Sequence, residues 1–381
     1  MSNIFTEDHN IFRNSVRSFV EKEIKPYAKE WDENEGFPRE VFKKLGDLGF
    51  LGIKYPEKYG GSGLPYSYEA VFVEEMARAD SLGMLLSILV QTDMASPAIF
   101  HFGTEEQKEK FLVPALKGEK ILAIGITEPG AGSDVANIKT TARREGDYYI
   151  INGSKTFITN GADADYITLA VKTAPDRQHK GISMIVFDTS VEGFSVGQHI
   201  KKMGNWASNT AELFFDDCKI PVENLLGEEN MGFYYIMKGF ETERLSGIIM
   251  GYAAAQYAID VAVNYAKERK TFGKRVIDYQ VIRHKLVELI TDIEIARQFA
   301  YHIIERYDSG DNVLTEITMA KYRIGELVIN VTNEALQILG GYGYTRDFPI
   351  ERILRDARLY TIGGGTSEIM KEILSKELLK D

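Results

Sequence analysis

The chain has 381 residues, a formal net charge of −11, 44% hydrophobic and 27% charged residues: a soluble globular mixture, long enough for two or three domains. That acidic balance argues against a general nucleic-acid binder. The one cysteine, Cys218, excludes internal disulfides and cysteine-built metal cages, and the six histidines show no metal-ligand spacing, so only a site of Asp and Glu stays open to a metal.

The chain enters Thr6-Glu7-Asp8 without a basic-then-apolar leader, and its longest apolar runs are broken by Gly or charge. Neither a secretion signal nor a membrane span is expected. Residues 1–119 read as helical. Thr6 caps a first helix with Ile11, Phe12, Val16, Phe19, Val20 and Ile24 on one face. Pro38 opens a second, with Val41, Phe42 and Leu45 inward. A third covers Tyr68 to Ala79, and a largely buried fourth covers Met84 to Phe102. Thr104-Glu105-Glu106-Gln107 fits a capping box for a helix to about Leu116. The Gly- and Pro-rich Tyr55 to Tyr66 reads as a loop.

Strand patterns take over across 120–226. Ile124 to Asp134 offers β-type residues and then a turn of Pro129, Gly130 and Gly132 closed by Ser133 and Asp134. Such a turn presents N–H groups and hydroxyls to a polar ring or phosphate, or is an ordinary strand-to-loop turn. Tyr148 to Ile158 around Asn152-Gly153 has the signature of a hairpin. Tyr166 to Val171, Ile182 to Phe187 and Ala211 to Phe215 are further strands of a small barrel or sandwich, left through the linker Leu225 to Asn230. Residues 227–381 are helical again: Gly239 to Lys270, Gln280 to Tyr307, Thr315 to Leu339 and Thr366 to about Leu379. The class is α+β: helical domain, β domain, helical bundle.

Glu243 stands out by its helix face, where Gly239, Phe240, Ser246 and Gly247 are neighbours and three of the four are small. A carboxylate in a semi-apolar slot can serve as a general base; otherwise it complements a helix N-terminus or pairs with Arg244 or Arg269. Gly363-Gly364-Gly365 before a helix can aim N–H groups at an oxyanion, or be a hinge. Gly340-Gly341-Tyr342-Gly343 follows a helix, which suits a helix cap and not a dinucleotide-binding strand–turn–helix. No nucleophile elbow and no paired-carboxylate spacing appears.

Five segments in order carry a resemblance: Ile126 to Asp134, Phe157 to Gly161, Arg269 to Lys274, Gln337 to Gly343 and Gly364 to Ile369. Together they resemble the acyl-CoA dehydrogenase family over essentially the whole chain. The resemblance implies an N-terminal helical domain, a middle β domain and a C-terminal four-helix bundle. It implies FAD and oxidation of an acyl-CoA to the trans-2-enoyl-CoA. It also implies electron transfer to an electron-transfer flavoprotein and a homotetramer built as a dimer of dimers. By resemblance Ile124, Ile126, Thr127, Phe157, Ile158 and Thr159 lie at the flavin ring, with Phe157 where many relatives carry Trp. Ser133 lies near flavin phosphate or substrate; Arg269, Thr271, Phe272 and Gln280 reach the FAD of a neighbouring subunit; Gln337, Gly340, Gly341, Thr366 and Glu368 hold the dinucleotide further along. Glu241, Arg244 and Gly365 border the acyl-CoA.

Many relatives carry the catalytic Glu just before the last Gly-Thr, where this chain has Gly364. A smaller branch, resembling isovaleryl-CoA and long-chain acyl-CoA dehydrogenases, places it before Arg-Leu in the long helix, where this chain reads Glu243-Arg244-Leu245. The resemblance therefore makes Glu243 the base and the Gly364 N–H a thioester-oxygen donor, and leans the substrate toward long or branched acyl groups. Leu86 to Ile99 is the stretch expected to set pocket depth. The expected compartment is the cytoplasm for a bacterial-type chain, or the mitochondrial matrix for a mature eukaryotic one. A flavin monooxygenase or nitroalkane-oxidase-like enzyme, and a non-enzymatic assembly protein, are the alternatives on the same fold.

Overall fold

The helical signals of the first third fold as read, with shifts at the ends. The structure is a computed structural model and describes residues 4–379. Helix α1 (Glu7–Phe19) is capped by Thr6, whose backbone N–H donates to the His9 ring at 3.1 Å. It runs on through a widened π turn, Val20–Ile24. Val16, Phe19, Val20 and Ile24 are buried, but Ile11 is 62% exposed. The expectation for Ile11 fails because 100° per residue carries it off the stripe that Phe12 and Val16 share. Helices α2 (Ala28–Glu33), α3 (Glu40–Asp47) and α4 (Tyr66–Met76) follow, and α3 buries Val41, Phe42 and Leu45.

Helices α5 (Leu82–Leu89) and α6 (Ser96–Phe102) join through a second π turn, Val90–Ala95. A π turn widens the spiral and leaves carbonyls to be satisfied by side chains. Here Tyr55 donates to the Thr92 carbonyl at 2.6 Å and Thr168 to the Ala95 carbonyl at 3.1 Å. Short helices α7 (Glu105–Gln107) and α8 (Val113–Leu116) complete the region. The capping box forms, with Gln107 N–H on Thr104 Oγ1 at 3.2 Å and Thr104 N–H on Gln107 Oε1 at 2.8 Å.

The middle region is one branched sheet of strands β1 (Leu122–Gly125), β2 (Thr141–Glu145), β3 (Tyr148–Thr159), β4 (Tyr166–Lys172), β5 (Ile182–Asp188), β6 (Phe194–His199), β7 (Thr210–Pro221) and β8 (Leu225–Leu226). The order is β6-β7-β3-β2-β4-β5-β8, and β1 lies parallel to β4. The expected hairpin at Asn152-Gly153 is absent. β3 runs straight through it, and the turn is Gly146-Asp147, between Glu145 and Tyr148. Asn152-Gly153 is a bulge against β7, held by Asn152 Nδ2 on Asp217 Oδ1 at 2.8 Å and Asp217 N–H on Asn152 Oδ1 at 2.9 Å. Gly153 has φ +144°, and a β-carbon there would come within 2.6 Å of Thr140 Oγ1. The dipeptide thus meets a need for glycine, but a bulge makes the demand. Leu225-Leu226, expected in the linker, forms β8 against β5.

The last region holds α9 (Gly232–Glu268), α10 (Gln280–Asp308), α11 (Leu314–Leu339), α12 (Ile350–Ala357) and α13 (Ser367–Leu378). The expected inner face of α9, Ile248, Tyr252, Ala255, Ile259 and Ala262, is buried. It shares one core with Leu289 and Val328 from the same region and with Phe72, Leu85 and Ile88 from the first. The two helical regions are thereby one hydrophobic body. Leu82–Phe102 and Gly232–Glu268 are long and apolar enough to cross a membrane by length and composition alone. Their apolar windows are 89% and 72% buried inside the protein, as core helices are.

A polar clasp joins all three regions. The Arg355 guanidinium lies 3.8 Å over the Trp206 ring and pairs with Asp32 at 3.1 Å and Glu351 at 2.7 Å. Asp32 is buried and keeps Arg352 Nε at 3.4 Å as its other cation, so removing Arg355 weakens the pairing of a buried carboxylate, unlike loss of the exposed Lys43–Asp47 pair. Arg355→Ala is expected to cost roughly 1.5–3 kcal/mol, the scale of hydrogen bonds to charged groups, read as a lower denaturation midpoint. Gly153→Ala should cost more than ~1 kcal/mol by the same measurement, since both conformation and space oppose it.

Candidate active site

Helix α9 carries Glu243 between two openings. Space beside Gly239 and Gly247 is free, whereas one turn on, at Gly251, Ile324 and Tyr360 close in to 2.8 and 3.3 Å. The Glu243 side chain keeps partial accessibility because it borders this opening, yet it lies deep in the protein. The turn Gly363–Gly365 meets it there. Gly364 and Gly365 have φ +64° and +94°, and a β-carbon on Gly364 would sit 3.1 Å from Glu243 Oε1. Among the described residues the Gly364 N–H finds no protein acceptor.

Neither expected partner neutralises Glu243. Arg244 is buried with its guanidinium 5.0 Å over Phe240, and its Nε reaches the Gly364 carbonyl at 3.4 Å. Arg269 lies over Tyr342, 5.7 Å from the ring centre. Burial raises the Glu243 carboxyl above its ordinary 4.5, while the charges of Arg244 and Lys321 pull it partway back. Lys321, on α11, donates from Nζ to the Gly365 carbonyl. Burial first, then the Arg244 charge, pushes its ammonium down to about 8.

Sequence reasoning passed over Lys321, although a signal was present. Ile317, Ala320, Lys321, Ile324 and Val328 fall on one helix stripe, and the other four are buried apolar residues. A lysine at a core position of an amphipathic helix marks a polar site.

A second group forms where β1 leads into residues 126–134. Thr156 N–H donates to the Thr127 carbonyl at 2.9 Å, which lays this loop beside the end of β3. A second bulge follows Lys155, and Phe157 there has φ +59° and is 64% exposed. A phenylalanine in that conformation is strained by roughly 1–3 kcal/mol, so surrounding structure must hold it. Lys155, wholly buried, donates to Glu128 Oε1 at 2.8 Å and the Ile126 carbonyl at 3.2 Å. Burial pushes Lys155 down to about 8. Burial raises the Glu128 carboxyl, but Lys155 and Thr140 outweigh it and hold the group below its usual range. With this many donors on the carboxylate, the pair stays ionised near neutral pH. Asn160 ties the end of β3 to α5 and β1 through Ser87 and Leu122 carbonyls at 2.9 and 3.1 Å. Lys155, Glu128 and Asn160 were assigned no role from sequence; only their burial shows one.

Ile158 is expected at the flavin ring. Its side chain is 2% exposed and packs in the β core with Phe187 and Leu213, so only its backbone is free to face a ligand. The bulge between Lys155 and Ile158 resets the alternation along β3 and turns it inward. Ile126 is likewise buried at 8%, while Ile124, Thr127 and Thr159 are half-buried and Ser133 is exposed.

A third group lines a cavity of about 550 Å³: Tyr265, Arg269, Thr271, Gly340, Gly341 and Tyr342 among others. Tyr265 is roughly 33 Å along α9 from Glu243, so this is a separate pocket. Phe272 beside it is 99% exposed, and Gln280 and Gln337 are exposed. Thr366 accepts the Ile369 N–H at 3.3 Å as the cap of α13, and Glu368 is exposed in the first turn. Glu241 pairs with Lys238 at 2.6 Å, clear of the Gly364 cluster.

Sequence models of the N-terminal, middle and C-terminal domains of acyl-CoA dehydrogenase match residues 6–119, 123–218 and 230–379. A 3-(aryl)acrylate reductase of Clostridium sporogenes is 40% identical, over 99% of this chain and 100% of its own. A mitochondrial long-chain specific acyl-CoA dehydrogenase of Mus musculus is 41% identical, over 99% of this chain and 88% of its own. The crystal structure of an acyl-CoA dehydrogenase from Geobacillus kaustophilus superposes with a TM-score of 0.96 at 43% identity, covering 99% of this chain and 100% of that one. Matched over its whole length by domain models, relatives and fold, this chain belongs to the acyl-CoA dehydrogenase family of oxidoreductases.

Proposed function

We propose that the protein is an FAD-dependent dehydrogenase converting an acyl-CoA thioester to its trans-2-enoyl-CoA, with Glu243 as the base. One observation carries the reading: the unpartnered Glu243 carboxylate stands 3.1 Å from the place a Gly364 β-carbon would fill. A proton acceptor and a residue with a free N–H thus border one gap.

The steps for this chain's own residues follow from that gap. The Gly364 N–H donates to the thioester oxygen and stabilises the negative charge that grows there. That makes the α-proton more acidic, and Glu243 removes it. Burial raises the carboxyl toward the acidity of the carbon it must deprotonate. Arg244, stacked on Phe240 and reaching the Gly364 carbonyl, holds the turn.

The residues fit FAD. The cavity at Arg269, Thr271, Gly340 and Gly341 offers a guanidinium fork for a pyrophosphate, glycine backbone for close approach, and the rings of Tyr265 and Tyr342. Exposed Phe157 offers an aromatic face beside Thr127 and Thr159. When bound, FAD supplies the two-electron acceptor for the hydride leaving the β-carbon. The ~33 Å between pocket and base supports the reading that Arg269, Thr271, Phe272 and Gln280 serve the cofactor of a neighbouring subunit in a homotetramer. Gln337, Thr366 and Glu368 are read as the outer part of the dinucleotide site, Ser133 as a contact at its phosphate or the substrate. Electrons pass to an electron-transfer flavoprotein. The substrate is a long or branched acyl-CoA, since the base sits on the long helix, and the compartment is aqueous, cytoplasmic or matrix.

Glu243→Gln should keep its flavin and lose roughly 10²–10⁴-fold in turnover, tested by anaerobic bleaching with short, long, branched and aryl acyl-CoAs. Near-normal turnover would falsify the assignment. In the wild type, kcat/KM should rise with pH along an acid limb above the usual 4.5, because the base works ionised and burial raises it. Stability moves the opposite way. A raised folded carboxyl contributes stability that is full below its unfolded value and lost as pH rises through the folded one. Glu243→Gln should therefore melt above wild type at pH 8, with the gap closing toward pH 5. Arg269→Ala should lower the flavin-to-protein ratio that survives gel filtration.

A further inference from the structure

We infer that Lys321 is a positioning residue for the proposed reaction, holding the Gly365 carbonyl so that the Gly364 N–H stays aimed at the thioester oxygen, and keeping a positive charge beside Glu243. The inference rests on the reading of Glu243 as the base.

Three observations converge. Lys321 Nζ donates to the Gly365 carbonyl, and Lys321 Cε is 3.9 Å from the place of a Gly364 β-carbon, the same point that Glu243 Oε1 approaches to 3.1 Å. Arg244 reaches the preceding carbonyl, that of Gly364, at 3.4 Å. Consecutive carbonyls of a turn with two left-handed glycines are thus tied to two cations on two helices. Such a turn without a regular ladder has little else to fix it.

Second, Lys321 is 9% exposed, and among the described residues it makes no ion pair. An ammonium is costly to bury, and a Met or Leu would fit the stripe of Ile317, Ala320, Ile324 and Val328 without that cost. Packing therefore does not account for the charge. Third, the charges around it leave a positive wall. Glu243 and Arg244 face it from α9 and Glu368 from α13; α10 and α12 bring no charged group that moves it among the described residues. Glu368 is exposed at the rim, so the interior holds two cations and one carboxylate. That balance suits an oxygen gaining negative charge. The ammonium, pushed down to about 8 by burial, loses its proton in mildly alkaline solution and the wall then weakens.

The test uses the flavin-loaded enzyme with an artificial electron acceptor and compares Lys321→Met, Lys321→Arg and wild type. Lys321→Met should lower kcat about 10- to 100-fold, less than loss of the oxyanion donor itself, and change KM less than about threefold. Its acid limb should move to higher pH, because the ionised base has lost a favourable charge. Lys321→Arg should restore the limb. It should also abolish an alkaline limb that the wild type shows near pH 8, since Arg does not titrate there. A Lys321→Met enzyme with lower melting temperature but an unmoved pH profile and kcat overturns the inference, as does one unchanged in every respect. Should Lys321→Met fail to fold, the wild-type and Lys321→Arg profiles decide alone. A wild-type profile flat through pH 9.5, or an alkaline limb that survives in Lys321→Arg, overturns it. In each overturning case the Glu243→Gln loss still stands, so the two readings fail separately.

Discussion

A carboxylate held out of water with no hydrogen-bond donor is a cost that a fold bears only when other forces keep the group in place. Glu243 is such a group, and much of the surrounding architecture serves to immobilise it. It cannot swing outward, because α9 is the central helix of the main core, buried on successive turns at Leu245, Ile248, Ile249 and Tyr252. Its neighbour Arg244 stabilises the charge only through space, because its guanidinium is engaged with Phe240 and the Gly364 carbonyl.

Behind Glu243 a buried polar network fixes the helix from the other side. Thr242 donates to the Asp93 carbonyl at 2.8 Å, and Tyr66 donates to Asp93 Oδ1 at 2.8 Å. Lys54 pairs with the same carboxylate at 2.7 Å and lies 3.7 Å from Glu69. Burial, with the nearby Asp93 charge opposing Lys54, raises Glu69 well above the ordinary glutamate range. Asp93 belongs to the π turn between α5 and α6, so a local widening of one helix places the contact that holds another. The stretch expected to set pocket depth thus anchors the helix that carries Glu243.

The sequence foretells what periodicity and glycine report. The order helices, sheet, helices is visible because each element buries one face, and the Thr104 box because capping is local. Glu243 and Gly364 are marked by an absence at one position and a presence at another. Long-range satisfaction is not visible. Asn152-Gly153 looks like a turn because a bulge needs the same freedom, and only the partner strand β7 distinguishes the two. Ile158 sits in a binding motif yet turns inward, because the bulge at Phe157 resets the alternation. Lys321, Lys155 and Asn160 are ordinary letters until burial shows that each must have a partner. These are the residues on which the two clusters depend, and their partners are distant in the chain.

The pairing of Glu243 with Gly364 is a steric exclusion. A β-carbon at 364 would press on Oε1 at 3.1 Å, and φ of +64° disfavours any L side chain there. A carboxylate rooted on α9 therefore requires glycine on the facing turn. A carboxylate rooted on the turn would reach into the same gap and require a smaller residue on the helix. One gap has room for one acid, which either element can supply. The helix supplies it from a rigid rod packed along its length, and leaves to the turn the lighter task of presenting an N–H. A three-glycine turn holds its shape through Arg244 and Lys321 on its carbonyls, so rooting the carboxylate on the helix goes with two cations buried beside it.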